Sequence, residues 1–182
     1  MNGAIWGNRK DPYYKRNYPP GMHGIKGYKK TTEYGYQLIA KQKLKKYYGE
    51  IKEKQFRRMY QMAKKRVGDT KDNLIGILES RIDVVLYRSR LAETIFLSRQ
   101  LVNHKHIKIN DRIINIPSYS LKPGDVMTIK KEHESKVERE LPKYIEQDSK
   151  KYKFIYLRIP KLNDVVYPIT MNFDLVSEFY SK

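Results

Sequence analysis

A chain of 182 residues that is 40% hydrophobic has the length for one large domain or two small ones and the material for a modest core. It carries 38 Lys and Arg against 20 Asp and Glu, a formal charge of +18. A charge of that size opposes compaction unless a polyanion such as nucleic acid neutralises it. The absence of cysteine excludes disulfides, cysteine-ligated zinc and thiol chemistry, and no apolar run approaches the roughly 18 residues that cross a bilayer.

The charge is uneven. Residues 1–68 hold 18 Lys and Arg against 4 Asp and Glu, net +14, whereas residues 69–182 hold 20 against 16, net +4. Such asymmetry is the footprint of a binding face. Residues 1–30 are expected to be irregular, because "NYPPGMHGIKGYKK" pairs prolines, which lack a backbone donor, with glycines that turn freely.

From Thr31 or Thr32, either of which can cap a helix, "EYGYQLIAKQKLKKYYG" predicts a helix that Gly49 ends. A second helix is predicted over 52–67, with Phe56, Tyr60, Ala63 and Val67 on one stripe. Periodicity favours core positions for Tyr34, Tyr48 and Tyr60. The lysines around them form a face of nearly one sign, which favours a binding surface over a solvated one. Leu74, Leu78, Ile82 and Val85 then repeat at helical spacing, and Leu91–Thr94 connects to a further helix in "TIFLSRQLVNH". There the period switches to two: "IKIN" and "RIINI" flank Asn110-Asp111, a pair suited to a tight hairpin turn. "KPGD" predicts a turn and "VMTIK" a third strand. The charged residues 130–141 predict a short helix or linker, "KYIEQD" and "KYKFIYLRI" two more extended segments, and "DLVSEFYSK" a last helical turn.

Enzyme signatures are missing. There is no G-x-x-x-x-G-K-[ST] loop, no dinucleotide fingerprint and no H-E-x-x-H. His104 and His106 lack a carboxylate at ligand spacing, so no metal site is expected. Asp83, between apolar residues in "SRIDVV", is expected to pair with Arg81 or another nearby arginine rather than to act as an acid.

Basic residues interleaved with tyrosines suit RNA, since cations neutralise phosphates and rings stack on bases or ribose. In the irregular segment the candidate RNA contacts are Arg9, Lys10, Lys15, Arg16, Tyr18, Gly21, His23, Gly24 and Lys26. In the first two helices they are Lys41, Lys43, Lys45, Lys46, Arg57 and Arg58. Further along, Arg81, Arg88, Arg99, Gln100, His104, Lys105, Lys108, Asn110 and Arg112 come from a helix pair and a hairpin that could gather them into one patch, suited to an RNA helix read by shape.

"LESRIDVVLYRSR…SRQLVNHKHIKINDRIINIPSYSLKPGDVMTI" resembles the RNA-binding module of the S4 family of small-subunit ribosomal proteins, and "YPPGMHG", "EKQFRRMY" and "EFYSK" resemble other segments of that family. The resemblance implies an α+β fold: a helical subdomain with an inserted small RNA-binding module, two helices packed on a β-hairpin or short antiparallel sheet. The expected division is an irregular basic segment over 1–30, a helical subdomain over 31–78 completed by 142–182, and the module with a short charged linker over 79–141. The resemblance implies a structural protein, without enzyme activity or cofactor, that binds a multi-helix junction in the 5′ domain of small-subunit rRNA early in assembly. Its implied neighbours are proteins S5 and S3 and the mRNA entry region, with an influence on decoding accuracy and no membrane partner. An RNA-modifying enzyme or RNA chaperone with the same module is the alternative, although 142–182 is short for a catalytic domain. "WGNRK" and "DVVYPITM" resemble the alphaproteobacterial and mitochondrial branch. The basic stretch that usually precedes this start in the family, sometimes with a zinc knuckle, is missing, and 130–141 is short. Together with heavy Ile, Lys, Tyr and Asn usage, this points to the mitochondrial matrix, with the bacterial cytoplasm as the alternative.

Overall fold

The structure is a computed structural model that describes residues 3–6, 11–16, 18, 20–24, 30–129, 140–148 and 152–181. Two compact units divide the chain: Met1–Arg57 with Val166–Lys182, and Arg58–Val165.

In the first unit, the Thr32 hydroxyl accepts the Gly35 N–H at 3.2 Å and so starts α1, Glu33–Tyr47. Gly49, at φ +75°, ends it in the left-handed region that glycine adopts without strain. Leu44, Tyr47 and Tyr48 from the end of α1 are buried with Phe173 and Val176 of α6, Phe173–Ser181. The Tyr48 hydroxyl lies 2.7 Å from that of Tyr167, and the Tyr47 ring meets Tyr167 edge-on at 5.1 Å. The closing segment is therefore a nine-residue helix rather than a single turn. Asn172 explains its length, since its side-chain oxygen accepts the N–H groups of Asp174 and Leu175. Tyr34, expected in the core, is 56% exposed and only brushes the Phe179 ring.

Helix α2, Glu53–Lys65, crosses the division between the units. Phe56, Tyr60 and Ala63 are buried as its stripe predicts, but Val67 is fully exposed. The helix stops early because the Asn73 side-chain amide lies 3.3 Å from each of the carbonyls of Ala63, Arg66 and Val67.

In the second unit, the apolar repeat Leu74–Leu78–Ile82–Val85 belongs to two helices, α3 (Thr70–Glu79) and α4 (Ile82–Arg88). Between them Arg81 is extended, because residues 119–121 bond across the break: Leu121 N–H to the Ser80 carbonyl at 2.8 Å and Ile82 N–H to the Tyr119 carbonyl at 2.9 Å. Helix α5, Ile95–Asn103, is capped by the Thr94 hydroxyl.

Strands β1 (Ile107–Ile109) and β2 (Arg112–Ile113) form the hairpin, with Asn110 and Asp111 at φ +48° and +64°, as a type I′ turn requires. With β3 (Val126–Ile129), β4 (Ile145–Asp148) and β5 (Lys153–Tyr156) they make an antiparallel sheet in the order β2-β1-β3-β5-β4. Alternation along β1 sends Ile107 and Ile109 inward and Lys108 outward. The inward face packs on α4 and α5 through Ile82, Leu86, Leu101, Val102, Met127 and Phe154.

The fold is α+β, with α4 and α5 packed on an antiparallel sheet. On the sequence alone, all of 142–182 is expected in the helical subdomain. The hydrogen bonding instead draws β4 and β5 into the sheet beside β3, so residues up to Val165 lie in the second unit. The expected linker falls largely outside the described residues.

Candidate nucleic-acid interface

Arg9, Lys10 and Lys26 lie outside the described residues. Asp11 caps a short 3-10 turn, Pro12–Tyr14, after which Lys15, Arg16 and Tyr18 are exposed. Gly21, at φ +105°, opens a turn closed by the Gly24 N–H on the Gly21 carbonyl, and His23 is exposed on it.

The lysines of α1 do not form one solvated face. Lys41 is buried, its Nζ 4.0 Å from the centre of the Phe179 ring and 3.2 Å from Glu53 Oε1. Lys45 Nζ lies 2.6 Å from Glu53 Oε2, and the Tyr180 hydroxyl donates to Oε1. Burial on its own would raise the Glu53 pKa, but the hydrogen bonds from Lys45, Tyr180 and Lys41 outweigh it and hold the carboxyl at about 2. Lys43 Nζ reaches the Thr170 carbonyl at 3.4 Å, Lys46 is half-buried, and Arg57 and Arg58 are exposed.

Two fully buried carboxylates organise the arginines of the second unit. Asp83 takes Arg81 Nε and Nη2 at 3.0 and 2.7 Å, Arg99 Nε at 2.9 Å and the Val84 N–H at 2.9 Å. Glu79 takes Arg88 Nε and Nη2 at 3.1 and 2.8 Å and the Tyr144 hydroxyl at 2.8 Å. Burial first, then the Glu79 charge, drives the Tyr144 pKa far up, and burial is the main cause that lifts Tyr156 to about 12. The expected ion pair of Asp83 is present. Arg81 and Arg88, expected to touch RNA, are engaged by these carboxylates, Arg81 with 5% of its surface exposed. Of the three candidate arginines from the helix pair, the structure brings Arg81 and Arg99 together on Asp83 and sets Arg88 on a separate cluster.

Cations at the end of α5 and on the hairpin are presented outward. The Lys105 N–H bonds to the Val102 carbonyl and the His106 N–H to the Leu101 carbonyl, a Schellman ending with Lys105 at φ +62°. That position favours glycine, and a lysine held there is exposed. Gln100, His104, Lys108 and Arg112 are also exposed. Asn110 has a structural role: its amide donates to Asp125 Oδ1 at 2.9 Å, and its oxygen accepts the Val126 N–H.

Phe96, not among the sequence candidates, is 45% exposed and shares a face of α5 with Arg99, Gln100 and Asn103, at i, i+3, i+4 and i+7. That spacing was the available signal. Among the described residues no cluster of three or more histidine, aspartate or glutamate side chains could hold a metal, and no helix is long and apolar enough to cross a membrane.

Residues 2–79 match the family described as the ribosomal protein S4/S9 N-terminal domain, and residues 80–127 match the S4 domain. The small ribosomal subunit protein uS4 of Roseobacter denitrificans is 47% identical over 191 residues, covering all of this chain and 93% of its own length. The chain belongs to the uS4 family. The uS4 of Bartonella bacilliformis is 49% identical over 187 residues, covering 98% of this chain and 91% of its own. That of Rhizobium meliloti is 47% identical over 191 residues. These relatives are named as ribosomal proteins rather than as enzymes. The two buried ion-pair clusters, the end of α5 and the hairpin all draw their arginines and lysines from the stretch matched as the S4 domain. β4 and β5 complete the sheet from beyond it.

Proposed function

We propose that the chain is a structural constituent of the small ribosomal subunit and a primary binder of its rRNA. In this reading it seats on a multi-helix junction of the 5′ domain early in assembly, beside proteins S5 and S3. There it contributes to the mRNA entry region and to decoding accuracy. The observation that carries the reading is the outward set of Lys105, Lys108 and Arg112 on the S4 domain, with His104 beside them, none of which pairs with an acidic side chain among the described residues. Cations left facing solvent on a chain of +18 await phosphates. The excess in residues 1–68 supports a second stretch of contact, along the turn at Gly21–Gly24. The setting we infer is the mitochondrial matrix, which the Ile, Lys, Tyr and Asn usage supports, with the bacterial cytoplasm, which the bacterial relatives support, as the alternative.

Sedimentation of a native lysate through a magnesium-containing gradient tests this. Stoichiometric co-migration with the small subunit, surviving a moderate-salt wash, is the expected result. Migration in the light fractions would contradict it and would favour a chaperone or modifying enzyme carrying the same module.

A further inference from the structure

Alternation along the sheet of the second unit leaves one of its faces outside the core. Ile107, Ile109, Met127, Ile129, Phe154 and Tyr156 pack inward with the helices. Their neighbours along the strands point the other way. The register joins those neighbours into two rows that cross the strands. One row runs Ile113, Lys108, Thr128, Lys153 and Asp148, from β2 to β4. The other runs Val126, Ile155 and Glu146, from β3 to β4. None of these side chains is buried, so no packed layer of described residues lies on them.

The rows differ in chemistry. The first sets Lys108 and Lys153 on either side of Thr128, their backbones two strand spacings, about 10 Å, apart. Neither lysine pairs with an acidic side chain among the described residues. The second row offers the half-buried aliphatic side chains of Val126 and Ile155, two residues, about 7 Å, along the strands from the first. A nucleotide strand has the same two-sided character, with anionic phosphates along one edge and apolar base faces along the other. On β4 both rows end in a carboxylate, Asp148 and Glu146, which repels phosphates and stops the surface at β5. On β2 the first row ends in Ile113, 57% exposed, an apolar rim suited to a ribose. Charge favours RNA over a protein partner: lysines are depleted from the centre of protein interfaces, and here they flank the central strand on a chain of +18.

We propose that the outer face of this sheet binds unpaired RNA, with phosphates on the Lys108–Thr128–Lys153 row and bases over Val126 and Ile155. This rests on the rRNA-binding reading above and adds a surface to it. Lys108 belongs to the outward set already described, and the other four residues extend that set across the sheet. An RNA helix keeps its base faces stacked inside and offers this surface little but phosphate, so the aliphatic row selects the single strand.

The full-length chain, with Lys153→Gln, Ile155→Thr and, as a control of equal charge, Lys161→Gln in the loop after β5, is titrated over a range of KCl. The probes are a short oligouridine, which stays unpaired, an RNA hairpin with the same number of phosphates, and a small-subunit rRNA transcript. Folding is checked by circular dichroism. Lys153→Gln is expected to weaken oligouridine binding about fivefold and to lower the slope of log K against log salt by about 0.7. Ile155→Thr is expected to weaken it about threefold with the slope unchanged, because the lost contact is apolar. Both should leave hairpin binding within about twofold of wild type, and Lys161→Gln should leave all three probes so. Photocrosslinks from a 4-thiouridine version of the oligouridine are expected in 126–129 and 153–156.

Oligouridine binding by Lys153→Gln no weaker than by Lys161→Gln, equal losses on the hairpin, or crosslinks confined to other elements overturns the proposal. If Ile155→Thr does not fold, Lys153→Gln and the crosslinks decide. A wild-type chain that binds the rRNA transcript while the oligouridine results fail overturns this proposal alone. One that binds no RNA probe overturns the rRNA-binding reading and the proposal with it.

Discussion

Each unit of the molecule gathers two cationic side chains around a single carboxylate, but the two hubs differ in what surrounds them. Glu53 in the first unit is 45% exposed and holds two lysines and a tyrosine hydroxyl. Asp83 in the second is fully buried and holds two arginines. Water screens the first hub, so its ions contribute little net stability and its lysines act partly as packing, with the Lys41 ammonium lying over Phe179. The second hub has no such screening. There a carboxylate that loses a partner, or a guanidinium that loses its carboxylate, is left as an uncompensated charge in the interior. Charge on this chain is thus divided: buried carboxylates engage part of the arginines, and what remains outward is the charge we propose binds RNA.

The largest effect that would break this contrast is in the buried clusters. Glu79→Gln removes the charge that pairs with Arg88 and turns one of the two acceptor oxygens shared by Arg88 and the Tyr144 hydroxyl into an NH2 donor. It is expected to destabilise the chain by about 3–5 kcal/mol in urea unfolding. A loss below about 1 kcal/mol would mean that the buried cluster is no more consequential than the exposed one. Glu53→Gln should cost about 1 kcal/mol, because a half-exposed pair is discounted for solvent screening.

Acid titration sharpens the same comparison. The folded Glu53 pKa is about 2, below the ordinary 4.5. Its stabilisation is therefore present above about pH 4.5 and is lost as pH falls through 2. Melting temperatures of wild type and Glu53→Gln should converge over that window. A difference that persists unchanged at pH 2 would assign the effect of Glu53 to packing instead.

Lys105 sits at φ +62°, where a side chain with a Cβ is strained by about 1 kcal/mol. Lys105→Gly is thus expected to raise the melting temperature by a few degrees while weakening rRNA binding several-fold. A variant that gains stability and keeps full affinity would show that this strain serves no contact. The smallest stability effect belongs to the irregular segment: deletion of residues 17–30 should leave melting of the free protein nearly unchanged and weaken rRNA binding. A lowered melting point with intact binding would make the segment part of the scaffold.

The sequence made the local devices legible. A cap at Thr31 or Thr32, Asn110-Asp111 as a tight hairpin turn and the pairing of Asp83 with a neighbouring arginine all depend on residues close in the chain, and each is present, the cap at Thr32. Less legible were features set by distant partners. The apolar repeat runs unbroken through Leu78 and Ile82, and only the backbone of residues 119–121 forces the break between α3 and α4. Burial of Lys41 depends on Phe179 at the far end of the chain, and the side chain of Asn110 is claimed by Asp125 on a neighbouring turn. Arg88 and Arg99 each pair with a buried carboxylate; what separates them is depth, the Arg88 side chain keeping 11% of its surface exposed and that of Arg99 25%.

Lysine acetylation of the chain, free and within isolated small ribosomal subunits, read by mass spectrometry, shows whether the outward charge of the S4 domain meets RNA. Lys105 and Lys108 are expected to react readily in the free chain and to be protected in the particle, while Lys41 is slow in both. Equal reactivity of Lys105 and Lys108 in the two states would contradict the RNA-binding reading, because the outward charge of the S4 domain would then face water rather than RNA.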